Sequence, residues 1–454
     1  VEVLVDGRGS VPLQVAAGGF FEGAVSGAPA GSRYRYRLDG ERERPDPVSR
    51  YQPDGVHGSS VVVDPRHFSW TDHAFAGHAL EDLVIYELHV GTFTEAGTFE
   101  AVIPYLPALA DLGVNAVELM PVAEFPGARN WGYDGVHLFA PQSTYGGPRG
   151  LRRLVDACHG AGVSLILDVV YNHLGPEGNY LAEFGPYFTD RHPTPWGPGI
   201  NVDGEDAAGV RQYIVANTRS WVREFHVDGL RLDAIHAIVD TSPVHILTEL
   251  AAAAREEAAL LGRPAHVMVE SHDNDRRLVL PPGAGGLGLD AVWSDDFHHA
   301  LHARLTGERT GYYADFPDGR GLERAIGEGF AFQGEPSAYW GRPRGTRSAD
   351  LEGGRFVISI QNHDQVGNRA GSQRLNRLVD PEAIKAAVAL LFTAPALPLV
   401  FMGEEHGETA PFPFFASFLD PRLSEVVRRG RQGELQRMGW HGEIADPSDP
   451  ATFA

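Results

Sequence analysis

The chain has 454 residues, of which 43% are hydrophobic, and its 38 basic and 60 acidic side chains give a formal net charge of −22. That length suits one large catalytic domain plus an accessory one, and the acidity excludes nucleic acid and anionic membranes as expected partners, since both reward basic patches. A single cysteine excludes an intrachain disulfide framework and a multi-cysteine zinc site.

Residues 1–78 hold short alternating strands, VEVLVDG, SRYRYRLDGE and SVVVDP, punctuated by Gly-Gly, Asp-Gly and Pro. They read as a small N-terminal β-sandwich, trimmed at its start because Val1 already lies in a strand pattern. From about Asp82 the pattern becomes strand–helix alternation. DLVIYELHVGTF is the first strand, and EAVIPYLPALADLG a helix that stops at Gly113. NAVELMPV is the second strand. LRRLVDACHGAG is a helix in which Cys158 reads as a buried core thiol. LILDVV, VDGLRLD and HVMVE follow as strands three to five, separated by the helices QYIVANTRSWVREF and HILTELAAAAREEAALLG. DAVWS, FVISI and LPLVFMGEE supply strands six to eight. Alternation of this kind implies a parallel sheet, and eight such strands favour closure. The expected fold is α/β: a (β/α)8 TIM barrel over 79–430, behind the β-sandwich. Long segments at 174–208 and 303–354 are rich in Gly, Pro and aromatics and read as lids or binding loops. No run has the uncharged length of a membrane helix and no secretory signal is evident, so a cytoplasmic location is expected.

Four of the strands run out into reactive clusters: LILDVVYNH, DGLRLDAIH, HVMVES and FVISIQNHDQ. A continuous apolar run reads as a strand buried on both faces. A carboxylate at its C-terminal end is costly unless paired or used. Acids at several strand ends are what a barrel active site needs, because that site sits at the C-terminal face. Asp233, Glu270 and Asp364 are the candidates. Glycoside hydrolysis requires two carboxyls across the scissile bond, one a nucleophile or base and one a general acid. Arg231 shares a strand face with Asp233 and would keep it ionised. Glu270 follows VMV, where desolvation favours the protonated form that a general acid needs. Asp364, beside His363, is placed to bind sugar hydroxyls. Any one of these acids alone reads equally well as a helix cap or a solvated loop residue; the set in this order does not.

DVVYNH, DGLRLDAIH, the strand-end Glu270 and QNHDQ resemble the four signature regions of the α-amylase superfamily, glycoside hydrolase family 13. The resemblance implies a retaining mechanism on α-glucosidic bonds, with Asp233 as nucleophile, Glu270 as acid/base and Asp364 as the third acid. It implies that His173, Arg231 and His363 line the subsite of the attacked glucose. Tyr133, in NWGYDG, matches the aromatic that stacks on that glucose, and Asp168 an acid that orders Arg231. In retaining enzymes the two working carboxyls stand about 5–5.5 Å apart. The leading β-region, with DGLRLDAIHAI, VESHDND, AVWSDDFHHALH, TGYYADF and QNHDQVGNR, is similar to the malto-oligosyltrehalose trehalohydrolase family. That similarity implies cleavage next to a terminal trehalose, with malto-oligosyltrehalose and related α-glucans as substrates. His236, Ser271, His272 and Asp273 are then candidates to read the trehalose unit, with Asp295 and Asp296 contributing. Alternatives are a branching or amylase-type enzyme of the same superfamily and a non-catalytic glucan-binding paralogue; the intact acids favour the enzyme.

No cofactor is expected. DDFHHALH puts His298 and His302 on one helix face, yet a hydrogen-bonded helix start is the simpler reading than a metal site. The oxygen ligands of a calcium cage are not evident around YNHLGPEGNY. Trp196 and Trp340 sit in Pro/Gly-rich loops, where sugar stacking and loop anchoring are equally good readings. Residues 431–454 read as a linker towards a C-terminal β-domain that the superfamily usually adds and this chain is expected to lack.

Overall fold

The computed structural model describes residues 1–440 and 444–453. Eight parallel strands close into a barrel: β1 (Ile85–Leu88), β2 (Ala116–Leu119), β3 (Ser164–Val169), β4 (Gly229–Leu232), β5 (His266–Glu270), β6 (Ala291–Trp293), β7 (Phe356–Ser359) and β8 (Leu397–Phe401). The principal helices are α1 (Leu106–Leu112), α2 (Gly147–Gly160), α3 (Ala207–Phe225), α4 (Ile246–Leu261), α5 (Asp295–Thr306), α6 (His363–Gly367), α7 (Pro381–Thr393) and α8 (Pro421–Arg437). Helix α1 stops at Gly113, whose φ of 100° is cheap only for a residue without a Cβ. Helix α8 runs through the expected boundary at residue 430.

Successive strand residues point to opposite faces, and the buried residues divide accordingly. Ile85, Ala116, Ile166, Met268, Ala291, Val357, Leu397 and Leu399 form one small cluster that plugs the barrel interior. Leu165, Leu167, Val267, Val269 and Ile358 belong to the larger core under the helices, as does Cys158, which is fully buried. On four of the strands the interior residue two places further along is acidic. Glu87 follows Ile85, Glu118 follows Ala116, Asp168 follows Ile166 and Glu270 follows Met268. The register sets Glu87 beside Glu118, Asp168 beside Arg231 and Glu270 beside Trp293. On those strands the interior changes from hydrocarbon to charge within one pleat.

The N-terminal region is strand-rich. Residues 9–12, 2–5, 33–38 and 42–44 lie side by side in a five-stranded antiparallel sheet, whose fifth strand, 60–61, pairs with 33–38. Residues 14–15 and 21–22 form a separate two-stranded ribbon. The region grips the long loop after β3. Arg42 and Arg44 both reach Glu183, and His57 Nδ1 lies 2.6 Å from the Tyr180 hydroxyl.

Both long loops contain a hairpin with a tryptophan near its tip. Phe188–Thr194 pairs with Gly197–Ile200 around Trp196, and Pro336–Ser337 pairs with Arg342–Pro343 around Trp340. At the opposite, N-terminal end of the barrel, Asp228 just before β4 meets Arg263, His159 and Asp72. Arg263 donates to Asp72 from Nη1 at 3.0 Å, and His159 lies between the carboxylates at 2.9 Å and 2.8 Å. No helix of the described residues is long and apolar enough to cross a membrane.

Candidate active site

Arg231 is the centre of the C-terminal face. It is fully buried, and its guanidinium lies 4.4 Å from the Trp293 ring. Nη1 donates to Asp168 at 2.7 Å and to Asp233 at 2.9 Å, and Nη2 donates to Glu270 at 2.8 Å. A planar guanidinium fixes the directions of its donors, so one side chain sets the relative positions of the two candidate working acids. The second Asp233 oxygen accepts from Asn172 Nδ2 at 2.8 Å. The same Glu270 oxygen that Arg231 holds, Oε2, accepts from the Ala234 N–H at 2.9 Å. Ala234 adopts φ 40°, left-handed and unusual for a residue with a Cβ.

Asp364 stands on α6 rather than on a strand. Asn362 caps that helix through the N–H groups of Asp364 and Gln365, and the Gln365 side chain accepts from the Asn362 N–H. Asn368 Nδ2 donates to Asp364 at 2.9 Å. The side chains of Asp233, Glu270 and Asp364 are 11%, 18% and 36% exposed, so the acids are progressively open to the cleft.

Around the acids, His363 donates from Nδ1 to Glu87 at 2.5 Å, and its Nε2 lies 2.7 Å from the Tyr133 hydroxyl. Burial alone would lower its proton affinity, but the Glu87 and Asp364 carboxylates overcome that and raise it to about 9. The imidazolium donates to Tyr133, and Tyr133 donates on to Asp168 at 2.7 Å. His173 reaches the Tyr133 carbonyl at 3.0 Å; burial pushes it down to about 4. Beneath these groups Glu118 is fully buried, and burial followed by the charge of Glu87 pushes it well above the carboxylate range.

The cleft continues as an open cavity. Asp364, Asp295, His272, Tyr312, Trp340 and Arg344 border it. Trp340 stacks on His272 at 4.2 Å, and the His236 ring centre lies 3.8 Å from that of His272. Burial, then His236, lowers His272 to about 3. Trp196, half exposed, stacks on His173 at 4.7 Å.

The structure brings Asp233, Glu270, Asp364, Tyr133, Asp168, His173, Arg231 and His363 together, with His236 one histidine ring away from the cavity wall. Three expectations need correction. Glu270 does not sit in an apolar slot: it faces a guanidinium and a backbone N–H. Asp273 is turned to Arg342, which donates to it at 2.6 Å, and it does not border the cavity. Asp296 is buried away from the cleft, where it accepts from Arg344 at 2.6 Å, Asn274 at 2.7 Å and Ala331 N at 2.8 Å. Asp295 and Asp296 open helix α5, and only Asp295 borders the cavity while Asp296 is fully buried, so the two cannot share a task. Two histidines of α5 are hydrogen-bonded: His298 Nδ1 to the Ile360 carbonyl at 2.7 Å, His302 to Glu308 at 2.7 Å. Glu87, Asn172 and Arg344 did not stand out in the sequence; a Glu inside the apolar strand IYEL was the one available signal for Glu87.

A closed parallel barrel with three carboxylates around an arginine at its C-terminal face defines an α-amylase-type glycosidase. The family model described as "Alpha amylase, catalytic domain" matches residues 63–192. The malto-oligosyltrehalose trehalohydrolase of Saccharolobus solfataricus is 48% identical over the whole chain and 78% of its own length. That of Arthrobacter ramosus is 45% identical over the whole chain and 79% of its own length. A crystal structure from Salmonella typhimurium, of a protein assigned to the alpha amylases, superposes with a TM-score of 0.93 at 44% identity. It covers all of this chain and 77% of that one. The chain belongs to the malto-oligosyltrehalose trehalohydrolase family.

Proposed function

We propose that this glycosidase cleaves the α-1,4-glucosidic bond next to the terminal trehalose of malto-oligosyltrehalose, releasing trehalose and a malto-oligosaccharide with retention. Family membership supports the substrate. The observation that carries the chemistry is the single guanidinium that holds both Asp233 and Glu270, with the third acid, Asp364, bordering the cavity.

Asp233 attacks the anomeric carbon. Donors from Arg231 and Asn172 fix the approach of its carboxylate. Glu270 has both protein donors on Oε2, so Oε1 carries the proton that passes to the departing glycosidic oxygen. A glycosyl ester with Asp233 results. Glu270, now a base, takes a proton from water, which attacks the ester and restores Asp233. Asp364 binds hydroxyls of the attacked glucose as its ring flattens, and the imidazolium of His363 holds Tyr133 in place beneath it. Tyr133, tied to both His363 and Asp168, supplies the ring face against that sugar, and His173 closes the subsite. Beyond Glu270 the wall of His272 and Trp340, backed by His236, faces the leaving disaccharide. Polar groups left unpaired by the wrong ligand discriminate more strongly than contact area does. Residues 1–78 act as an accessory domain that steadies the loop after β3.

Product analysis on maltotriosyltrehalose beside maltopentaose tests the reading. Trehalose should be released far faster than any sugar from maltopentaose, and proton NMR should show the new reducing end first as the α-anomer. Equal rates, or branched products from amylose, would move the assignment to an amylase-type or branching enzyme.

A further inference from the structure

Strands β5, β6 and β7 are neighbours in the barrel, and Glu270 lies in register with Trp293. Asp295 opens helix α5 two residues beyond Trp293 and borders the cavity together with Asp364. Three carboxyls, Glu270, Asp295 and Asp364, therefore stand at or just beyond three successive strand ends. We propose that Asp295 is a specificity-determining group that binds a hydroxyl of the first sugar released. The proposal rests on the reading above that the cavity beyond Glu270 receives the leaving sugar, and it adds a fourth carboxyl to the three of the reaction.

The contrast with its neighbour carries the argument. Asp296 is fully buried and saturated by Arg344, Asn274 and two backbone N–H groups. Asp295 is partly exposed, borders the cavity, and has one long contact among the described residues, 3.4 Å from Gln365 Nε2. A half-buried carboxyl with so little protein bonding has capacity left for a ligand. Asp364 borders the same cavity, with Tyr312 and Trp340 as ring walls. Alternating aromatic faces and single polar groups suit a sugar, which has both apolar and hydroxyl faces.

The charged and titratable groups around Asp295 come from every adjoining element. Glu270 ends β5, Asp364 lies on α6, Asp296 and His299 on α5 itself, and His272, Tyr312 and Arg344 on the loops. Burial, then Glu270 and Asp364, raise the Asp295 carboxyl to about 7, against the opposing pull of Arg344. Arg344 is committed to Asp296. Below about pH 7 Asp295 thus keeps a proton and both donates and accepts; above it the group only accepts.

The test is calorimetric binding of trehalose, and separately of maltose, to the full chain at pH 6 and pH 8. Wild-type affinity for both should fall about fivefold between the two. Asp295→Ala should weaken binding at pH 6 by about tenfold, the worth of one hydrogen bond. Asp295→Asn, which donates and accepts at every pH, should bind about threefold more weakly than wild type at pH 6 and lose the pH dependence. Wild-type affinity in Asp295→Ala, or an unchanged pH dependence in Asp295→Asn, overturns the proposal. A wild-type enzyme that releases no trehalose overturns the substrate reading instead, and the maltose titrations still decide the role of Asp295.

Discussion

Strand β4 carries an arginine–carboxylate cluster at each end, and the two are built from the same parts. At the N-terminal end Arg263 meets Asp72 and Asp228 around His159, and those side chains are at most 4% exposed. At the C-terminal end Arg231 meets Asp168, Asp233 and Glu270, and the last two open to the cleft. The difference is in what each carboxylate has left. In the closed cluster the partners are all protein groups, and Asp228 also takes the Leu165 N–H. In the open cluster Glu270 is held at Oε2 alone, and Asp233, although held at both oxygens, stays partly exposed to the cleft. A buried ion cluster is by itself weak evidence of activity; its exposure on one side distinguishes a reacting site from a brace.

The largest effect should come from the open cluster. Asp233→Asn should cut turnover by more than about 10³-fold with native circular dichroism, since no glycosyl ester can form. Glu270→Gln should lose comparably on the natural substrate, yet recover on an activated fluoride leaving group that needs no proton. Near-normal turnover of the natural substrate by Glu270→Gln would remove it from the acid role. The closed cluster should answer in stability. Arg263→Leu strands two buried carboxylates and should cost about 3–5 kcal/mol in urea denaturation. The turnover number of its folded fraction should stay as in the wild type. A loss of turnover in that folded fraction would erase the distinction between the clusters.

A third, smaller effect sharpens the link between charge and openness. His363 is raised from 6.5 to about 9. A group raised on folding stabilises fully below its unfolded value, and that contribution declines as pH rises through the folded one. Stability should therefore fall between pH 6.5 and 9 by up to roughly 3 kcal/mol. Glu87→Gln should bring the His363 titration, followed by imidazole NMR, down towards the ordinary range. The smallest effect belongs to the cavity wall. Trp340→Ala removes one stacked ring and should weaken disaccharide binding by about fivefold to tenfold, leaving Asp233 ester formation on an activated fluoride nearly unaltered.

The barrel and its three acids were legible because apolar runs ending in charge are a local pattern. Asp233 with Arg231 shows within three residues, and QNHDQ within five. The supporting groups are not local. Glu87 reaches His363, whose number differs by 276, and Asn172 reaches Asp233 across two strands. Closure of β8 against β1 creates the first contact, and the register of β3 with β4 the second. Adjacent Asp295 and Asp296 look alike in sequence; their separation depends on which of them Arg344 reaches from a loop about 50 positions later. The tryptophans stood equally between anchoring and stacking, and only the hairpins decide their place. The arginine as a shared tether was half visible: its pairing with Asp233 follows from strand alternation, its pairing with Glu270 from the neighbouring strand.

The left-handed turn at Ala234 limits what this position can become. Its N–H points at Glu270 because φ is 40°, a conformation that suits glycine, tolerates asparagine and aspartate, and penalises branching at Cβ. Glycine there should relieve strain and raise thermal stability slightly, while valine or isoleucine would have to rotate the peptide and withdraw the donor. In a saturation library position 234 should therefore return a narrow set of small residues, although its methyl group touches no part of the reaction described here. The tolerance pattern of an unreactive side chain becomes a reading of where a backbone hydrogen must point.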